Sequence, residues 1–183
     1  LRAAVARGSA KATALRKELM SLAEWAEREA YGMDFRLLFD DKRKLFHIGY
    51  NVTADQADAN YYDLLASEAR LASYFAIIKG GVPHAPWYAL GRPMTRLGRG
   101  QALLSWGGTM FEYLMPSLLM RSRRGTLLHQ STEAAVDAQR AYGSQKQVPW
   151  GISESSYARR DAEGTYQYRS FGVPGLGFRR DLE

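Results

Sequence analysis

The stretch from Ala102 to Met120 constrains the fold more than any other part of the chain. It is apolar enough to suggest a membrane span, yet it holds Gly107-Gly108, Glu112 and Pro116, with Ser105 and Thr109 between them. A carboxylate in mid-bilayer is costly, so the segment belongs inside a soluble domain or along a cleft. A helix is expected from Gly107-Gly108-Thr109 to about Arg121, kinked at Pro116, which cannot donate to the carbonyl four residues back. With 183 residues and 46% hydrophobic content, the chain has the length of one domain and material for a real core.

The remaining pattern is mainly α. Leu15, Leu19, Leu22 and Trp25/Ala26 recur at helical spacing between Ala3 and Tyr31, and Gly32 supplies a stop. Residues 1–32 are therefore read as an entry or linker helix, and residues 33–183 as a separate domain portion. Phe35 to Phe39 and Leu45 to Tyr50 flank a charged turn and predict a β-hairpin, followed by a polar loop from Asn51 to Asn60. A second helix is expected from about Tyr61 to Lys79, ended by Gly80-Gly81. A short turn carrying Trp87 follows, then a brief strand over Leu103 to Trp106. Thr126 is the expected cap of a helix over 127–142 that stops at Gly143, and the chain from Gln147 reads mostly as loop. It begins within a helical pattern and ends at Arg179 to Glu183 without a closing element, so a portion of a longer protein is expected.

Composition removes several chemistries. Without cysteine there is no disulfide, zinc-thiolate site or cysteine nucleophile. His47, His84 and His129 lack ligand spacing, so no metal site is expected, and no glycine-rich phosphate loop is present. The +6 net charge invites a nucleic-acid reading, but Lys42 to Lys44 and Arg121 to Arg124 sit in turns, where solvation is the simpler account. No signal peptide is visible. Ser153 and Ser155 lack the surroundings of a nucleophile elbow, so any chemistry falls to carboxylates.

Three acids stand out. Within the expected second helix, Leu64, Leu71, Ala72 and Phe75 lie at helical spacing from Glu68, which places that carboxyl on an apolar face and raises its pKa. That suits an acid, although an ion pair with Arg70 or Arg92 is the structural alternative. Glu154 follows Pro149-Trp150-Gly151-Ile152-Ser153 in a turn whose amides and hydroxyls keep a carboxylate charged, which suits a nucleophile. Its alternative is a helix cap or a pair with Arg159 or Arg160. Glu112 lies near a helix start, where the dipole favours the charged form and substrate binding is the expected role. Trp106, Tyr113, Trp150, Tyr166 and Tyr168 are interleaved with these acids. Such rings and polar tips suit a sugar cleft, or ordinary core packing.

Three long runs carry a family resemblance. They are Tyr61-Tyr62-Asp63-Leu64-Leu65-Ala66-Ser67-Glu68-Ala69-Arg70-Leu71-Ala72-Ser73, Ser105-Trp106-Gly107-Gly108-Thr109-Met110-Phe111-Glu112-Tyr113-Leu114-Met115-Pro116 and Val148-Pro149-Trp150-Gly151-Ile152-Ser153-Glu154-Ser155. With lesser matches at Asp34-Phe35-Arg36, Ile48 to Asn51 and Phe171 to Gly177, the chain from about residue 33 resembles the central glycoamylase-like domain of bacterial cyclic β-1,2-glucan synthases. The resemblance implies the first part of an (α/α)6 barrel, incomplete because a full ring needs about a dozen helices of average length. It implies a transglycosylase that joins the ends of linear β-1,2-glucan, with Glu68 as acid/base and Glu154 as nucleophile. Asp63 and Ser153, inside the matching runs, join Trp106, Glu112, Tyr113, Trp150, Tyr166 and Tyr168 as the implied substrate-binding set. It implies no cofactor for this domain, UDP-glucose being used by a separate glycosyltransferase domain of the parent. The parent's other domains are the implied partners, and the location is the cytoplasmic face of the bacterial inner membrane. Related endo-β-1,2-glucanases share the fold and hydrolyse instead, and a glycan-binding module without turnover is the third possibility.

Overall fold

Helical spacing in the first thirty residues gives a 31-residue helix, α1 (Arg2–Gly32). The computed structural model describes residues 2–98, 100–151, 153–169, 172 and 175–178. Ile152, Phe171, Val173 and Pro174 of the matching runs, and the chain's end at 179–183, lie outside the described residues. Two compact units result, Leu1–Leu37 and Leu38–Glu183. The first is α1 and the start of a short 3-10 turn, in which Asp34 pairs with Arg36 at 2.6 Å. Within this unit no described residue covers the stripe formed by Leu15, Leu19, Leu22 and Trp25.

The second unit opens with small antiparallel pairings. β1 (Phe39–Asp40) and β2 (Leu45–His47) form the expected hairpin around the charged turn, though only its ends are strand. The first aromatic run is mostly the 3-10 turn Phe35–Leu38. β2 also pairs with β5 (Tyr61–Tyr62), and the loop between them holds a second hairpin of β3 (Tyr50–Asn51) and β4 (Gln56–Ala57). The expected helix from Tyr61 is thus displaced: α2 spans Ala69–Ile78 and Glu68 stands at its N-cap. The reason is local. Leu64 bridges to Gly91, and Leu65 N–H and Gly91 N–H bond across that bridge, so the backbone before Ser67 is already committed.

α3 (Ala85–Ala89) carries Pro86 in its first turn, where the missing N–H costs nothing. A hairpin that the sequence reading did not anticipate follows, β6 (Met94–Leu97) with β7 (Gly100–Leu103). The expected long kinked helix is α4 (Met110–Leu114) running into a 3-10 turn at Met115–Leu118. α5 (Leu127–Lys146) is capped by Thr126, as expected, but it passes through Gly143 and closes at Gln147 in a left-handed conformation. Gly143 serves contact rather than termination: a Cβ there would meet Val148 O at 3.0 Å and Trp150 Cβ at 3.1 Å. The presumed loop beyond it contains a last hairpin, β8 (Ser155–Arg160) with β9 (Tyr166–Arg169).

The core gathers Leu65, Ala69, Leu90, Leu103, Tyr113, Ala135 and Leu176 from six segments. Tyr113 donates its hydroxyl to Leu103 O at 2.6 Å and Leu176 O at 3.1 Å, and Ser131 Oγ of α5 accepts from Leu103 N–H at 3.0 Å. The described residues are therefore mostly helical with short antiparallel hairpins. They form no barrel, since five α-helices are too few to close the implied ring. Among them no helix is long and apolar enough to cross a membrane.

The segment around Leu176 passes tightly over the Gly107-Gly108 turn. A Cβ on Gly177 would lie 2.7 Å from Gly107 C and 2.9 Å from Gly108 N, all of it backbone that cannot step aside. Gly177→Ala is expected to cost about 3 kcal/mol, at the upper end for overpacking. Gly49→Ala, which meets nothing within 4 Å, is expected to be nearly neutral. Urea unfolding midpoints of the two variants check this.

Candidate active site

The turn Ser105 to Thr109 is built around one buried carboxylate. Glu112 accepts hydrogen bonds from Ser105 Oγ at 3.0 Å, Trp106 N–H at 2.8 Å, Gly107 N–H at 3.1 Å, and Thr109 N–H and Oγ1 at 2.9 Å. Thr109 in return accepts from Glu112 N–H, completing a capping box at the start of α4. Glu112 and Tyr113, both expected to touch substrate, are thus buried and bonded within the protein.

The same turn presents Trp106 to solvent. Its indole N–H donates to Asp63 at 3.1 Å, and its ring lies 5.8 Å from that of Phe178, so the exposed face is held at a fixed angle. An aromatic face fixed by an aspartate is a ready platform for a sugar ring.

Glu68 is half-buried at the start of α2. Burial pushes its carboxyl up, and the charges of Glu112 and Glu154 push further in the same direction, opposed by a hydrogen bond from its own backbone and by Arg70. The expected direction holds, but burial at a helix start produces it, not the apolar face of a helix. Neither arginine alternative forms an ion pair with it. Arg70 is buried and donates to the carbonyls of Leu65, Ser67, Glu112 and Tyr113, while Arg92 donates to those of Trp87, Tyr88 and Leu90. Burial lowers the Arg70 pKa to about 10, which still leaves it charged at neutral pH.

Glu154 reaches this neighbourhood through anchors on α4 and α5. Val148 N–H bonds Gly143 O at 2.9 Å, Gly151 N–H bonds Gln139 Oε1 at 3.1 Å, and Ser153 Oγ accepts from Phe111 N–H at 2.9 Å. Ser153 therefore fastens the turn to the first turn of α4. Trp150 is half-exposed beside Gly143. The exposed carboxylate of Glu154 accepts a hydrogen bond from Tyr168 of β9. Arg160, an alternative partner for Glu154, instead donates to the Tyr166 hydroxyl and lies 4.2 Å over its ring. Electrostatics ties the group together: the charge of Glu68 is felt by Tyr62 and Tyr168, and Glu68 feels that of Glu154.

Residues 60–180, which contain every one of these groups, match the model of the family described as "Putative glucoamylase". The chain belongs to the Glycoamylase family. It is also 52% identical over 169 residues, 92% of its length, to the cyclic β-(1,2)-glucan synthase NdvB of Rhizobium meliloti (strain 1021). It spans only 6% of that relative.

Within this Glycoamylase unit, sequence reasoning missed Phe178, Tyr62 and Gln139. Only Gln139 left a signal. Ser131, Ala135, Gln139 and Gly143 are buried at a spacing of four on α5, and a lone amide in such a stripe needs a partner. Of the cavities found, one of about 650 Å³ lies among Trp87, Tyr74, Arg121 and Thr126, and another of about 960 Å³ runs beside α5. Neither includes Glu68 or Glu154.

Proposed function

We propose that this Glycoamylase-family chain carries the paired carboxylates of a retaining transglycosylase that closes linear β-1,2-glucan into rings. The observation that carries the reading is the electrostatic coupling of Glu68, pushed toward its protonated form, to Glu154, a carboxylate held by a phenol. Glu154 attacks the anomeric carbon as the glycosidic bond breaks, and Glu68 gives its proton to the departing oxygen. A hydroxyl at the far end of the same glucan then gives its proton to Glu68, attacks the anomeric carbon and releases Glu154. Trp106 and Asp63 offer the fixed sugar platform, and Trp150 a second face. On this reading the unit is the first portion of an (α/α)6 barrel. It sits in a longer synthase at the cytoplasmic face of the bacterial inner membrane, beside a separate domain that uses UDP-glucose. The similarity to a named glucan synthase over 92% of the chain supports this.

The test is product analysis with the complete polypeptide and linear β-1,2-glucan. Rings are expected. Short linear oligomers alone would make the protein an endo-β-1,2-glucanase, and binding without cleavage would make it a non-catalytic module. Glu68→Gln is expected to slow both glycosyl steps by about 10²- to 10⁴-fold. The first step is expected to be largely spared with a donor whose leaving group needs no proton, which steady-state and burst kinetics would separate.

A further inference from the structure

Glu154 stands in a bend before β8 with its carboxylate exposed, and an exposed side chain has rotamer freedom that a nucleophile must lose before it reacts. The anchors at Gly151 N–H and Ser153 Oγ hold the turn before it but not its carboxylate. The neighbouring hairpin supplies the missing constraint. Tyr168 on β9 faces Ser156 across the ladder and reaches past it to donate its hydroxyl to Oε2 of Glu154. Tyr166, two residues earlier on the same strand, commits its own hydroxyl to Arg160. The two tyrosines therefore have different duties despite their spacing.

We propose that Tyr168 is the positioning residue of the nucleophile, its phenol fixing one oxygen of Glu154 and leaving Oε1 to attack. This rests on the reading of Glu154 as nucleophile. A donor to a carboxylate binds the charged form more strongly, so the same bond also favours Glu154 as leaving group when the glycosyl-enzyme is resolved. The bond pushes Tyr168 up to about 12, so the phenol keeps its proton at neutral pH. The other charged groups facing the pair are Glu68, with Glu112 and Arg70 acting on Glu68. Arg160 of β8 is engaged by Tyr166.

Tyr168→Phe in the complete polypeptide tests this, because it keeps the ring and removes only the donor. Tyr168 is 59% exposed, so the fold is expected to survive. The expected result is a kcat lowered about 10- to 100-fold, the value of a hydrogen bond to a charged group. KM is expected to stay within about threefold. A raised KM with unchanged kcat would make Tyr168 a sugar-binding residue and overturn the proposal. The control is Glu154→Gln. If that variant is inactive while Tyr168→Phe keeps kcat, only the positioning role falls. If Glu154→Gln stays active, the nucleophile assignment falls with it.

Discussion

Glu154→Gln is expected to abolish ring formation, with a loss of about 10⁴-fold or more in kcat, the scale at which removal of a nucleophile is felt. An amide cannot form the glycosyl ester, so no covalent intermediate builds up and no acceptor hydroxyl is joined. The fold should survive, because the Glu154 carboxylate is exposed and the turn around it is held without it, by the side chains of Gln139 and Ser153 and the carbonyl of Gly143. Binding of linear glucan is expected to persist, since Trp106, Asp63 and Trp150 are untouched. Separation of products from the variant, alongside a glucan-binding measurement, checks both halves. Near-normal cyclisation would remove Glu154 from the mechanism.

Glu112 is expected to behave in the opposite way. Its carboxylate is 3% exposed and is the shared acceptor for three backbone amides and two hydroxyls in the Ser105 to Thr109 turn. Glu112→Ala leaves those donors buried and unpaired, each worth about 1–3 kcal/mol before any water enters, so a loss of about 4 kcal/mol or more is expected. That is a large share of the roughly 5–15 kcal/mol available to a typical domain. Glu112→Gln keeps the shape but turns an N–H₂ group toward donors, and about 3 kcal/mol is expected. Denaturant unfolding checks both values. A Glu112→Gln protein that is fully stable yet catalytically dead would move Glu112 from the architecture into the chemistry.

The two carboxylates differ because one sits where a local pattern repeats and the other where distant segments meet. Thr109 and Glu112, three apart, spell a capping box, so the start of α4 was legible, as was the Thr126 cap of α5. The displaced start of α2 was not. Leu64 to Ser67 have helical spacing, but the bridge to Gly91 claims their backbone first. The hairpins β6–β7 and β8–β9 were missed for another reason: their strands are short, and one strand of each pair, β7 (Gly100-Gln101-Ala102-Leu103) and β8 (Ser155-Ser156-Tyr157-Ala158-Arg159-Arg160), lacks clean alternation. Tyr113 by its ring and Glu112 by its place near a helix start read as substrate-facing, and burial, which neither signal carries, separates them from the exposed Trp106 and Trp150.

Leu176 gives the arrangement an order in time. It is completely buried beside Tyr113, and its carbonyl takes the N–H of Ser105, so one wall of the core comes from nearly the last described residues. During synthesis α5 and the β6–β7 hairpin can form as soon as they emerge, because their partners are close in the chain. The Trp106 turn cannot settle, since until residue 176 leaves the ribosome the slot over Gly107-Gly108 is empty and an apolar surface is open. At about 5–20 residues per second, the thirty residues after α5 keep that surface exposed for seconds. A nascent chain stalled in this window is a natural client for a holdase.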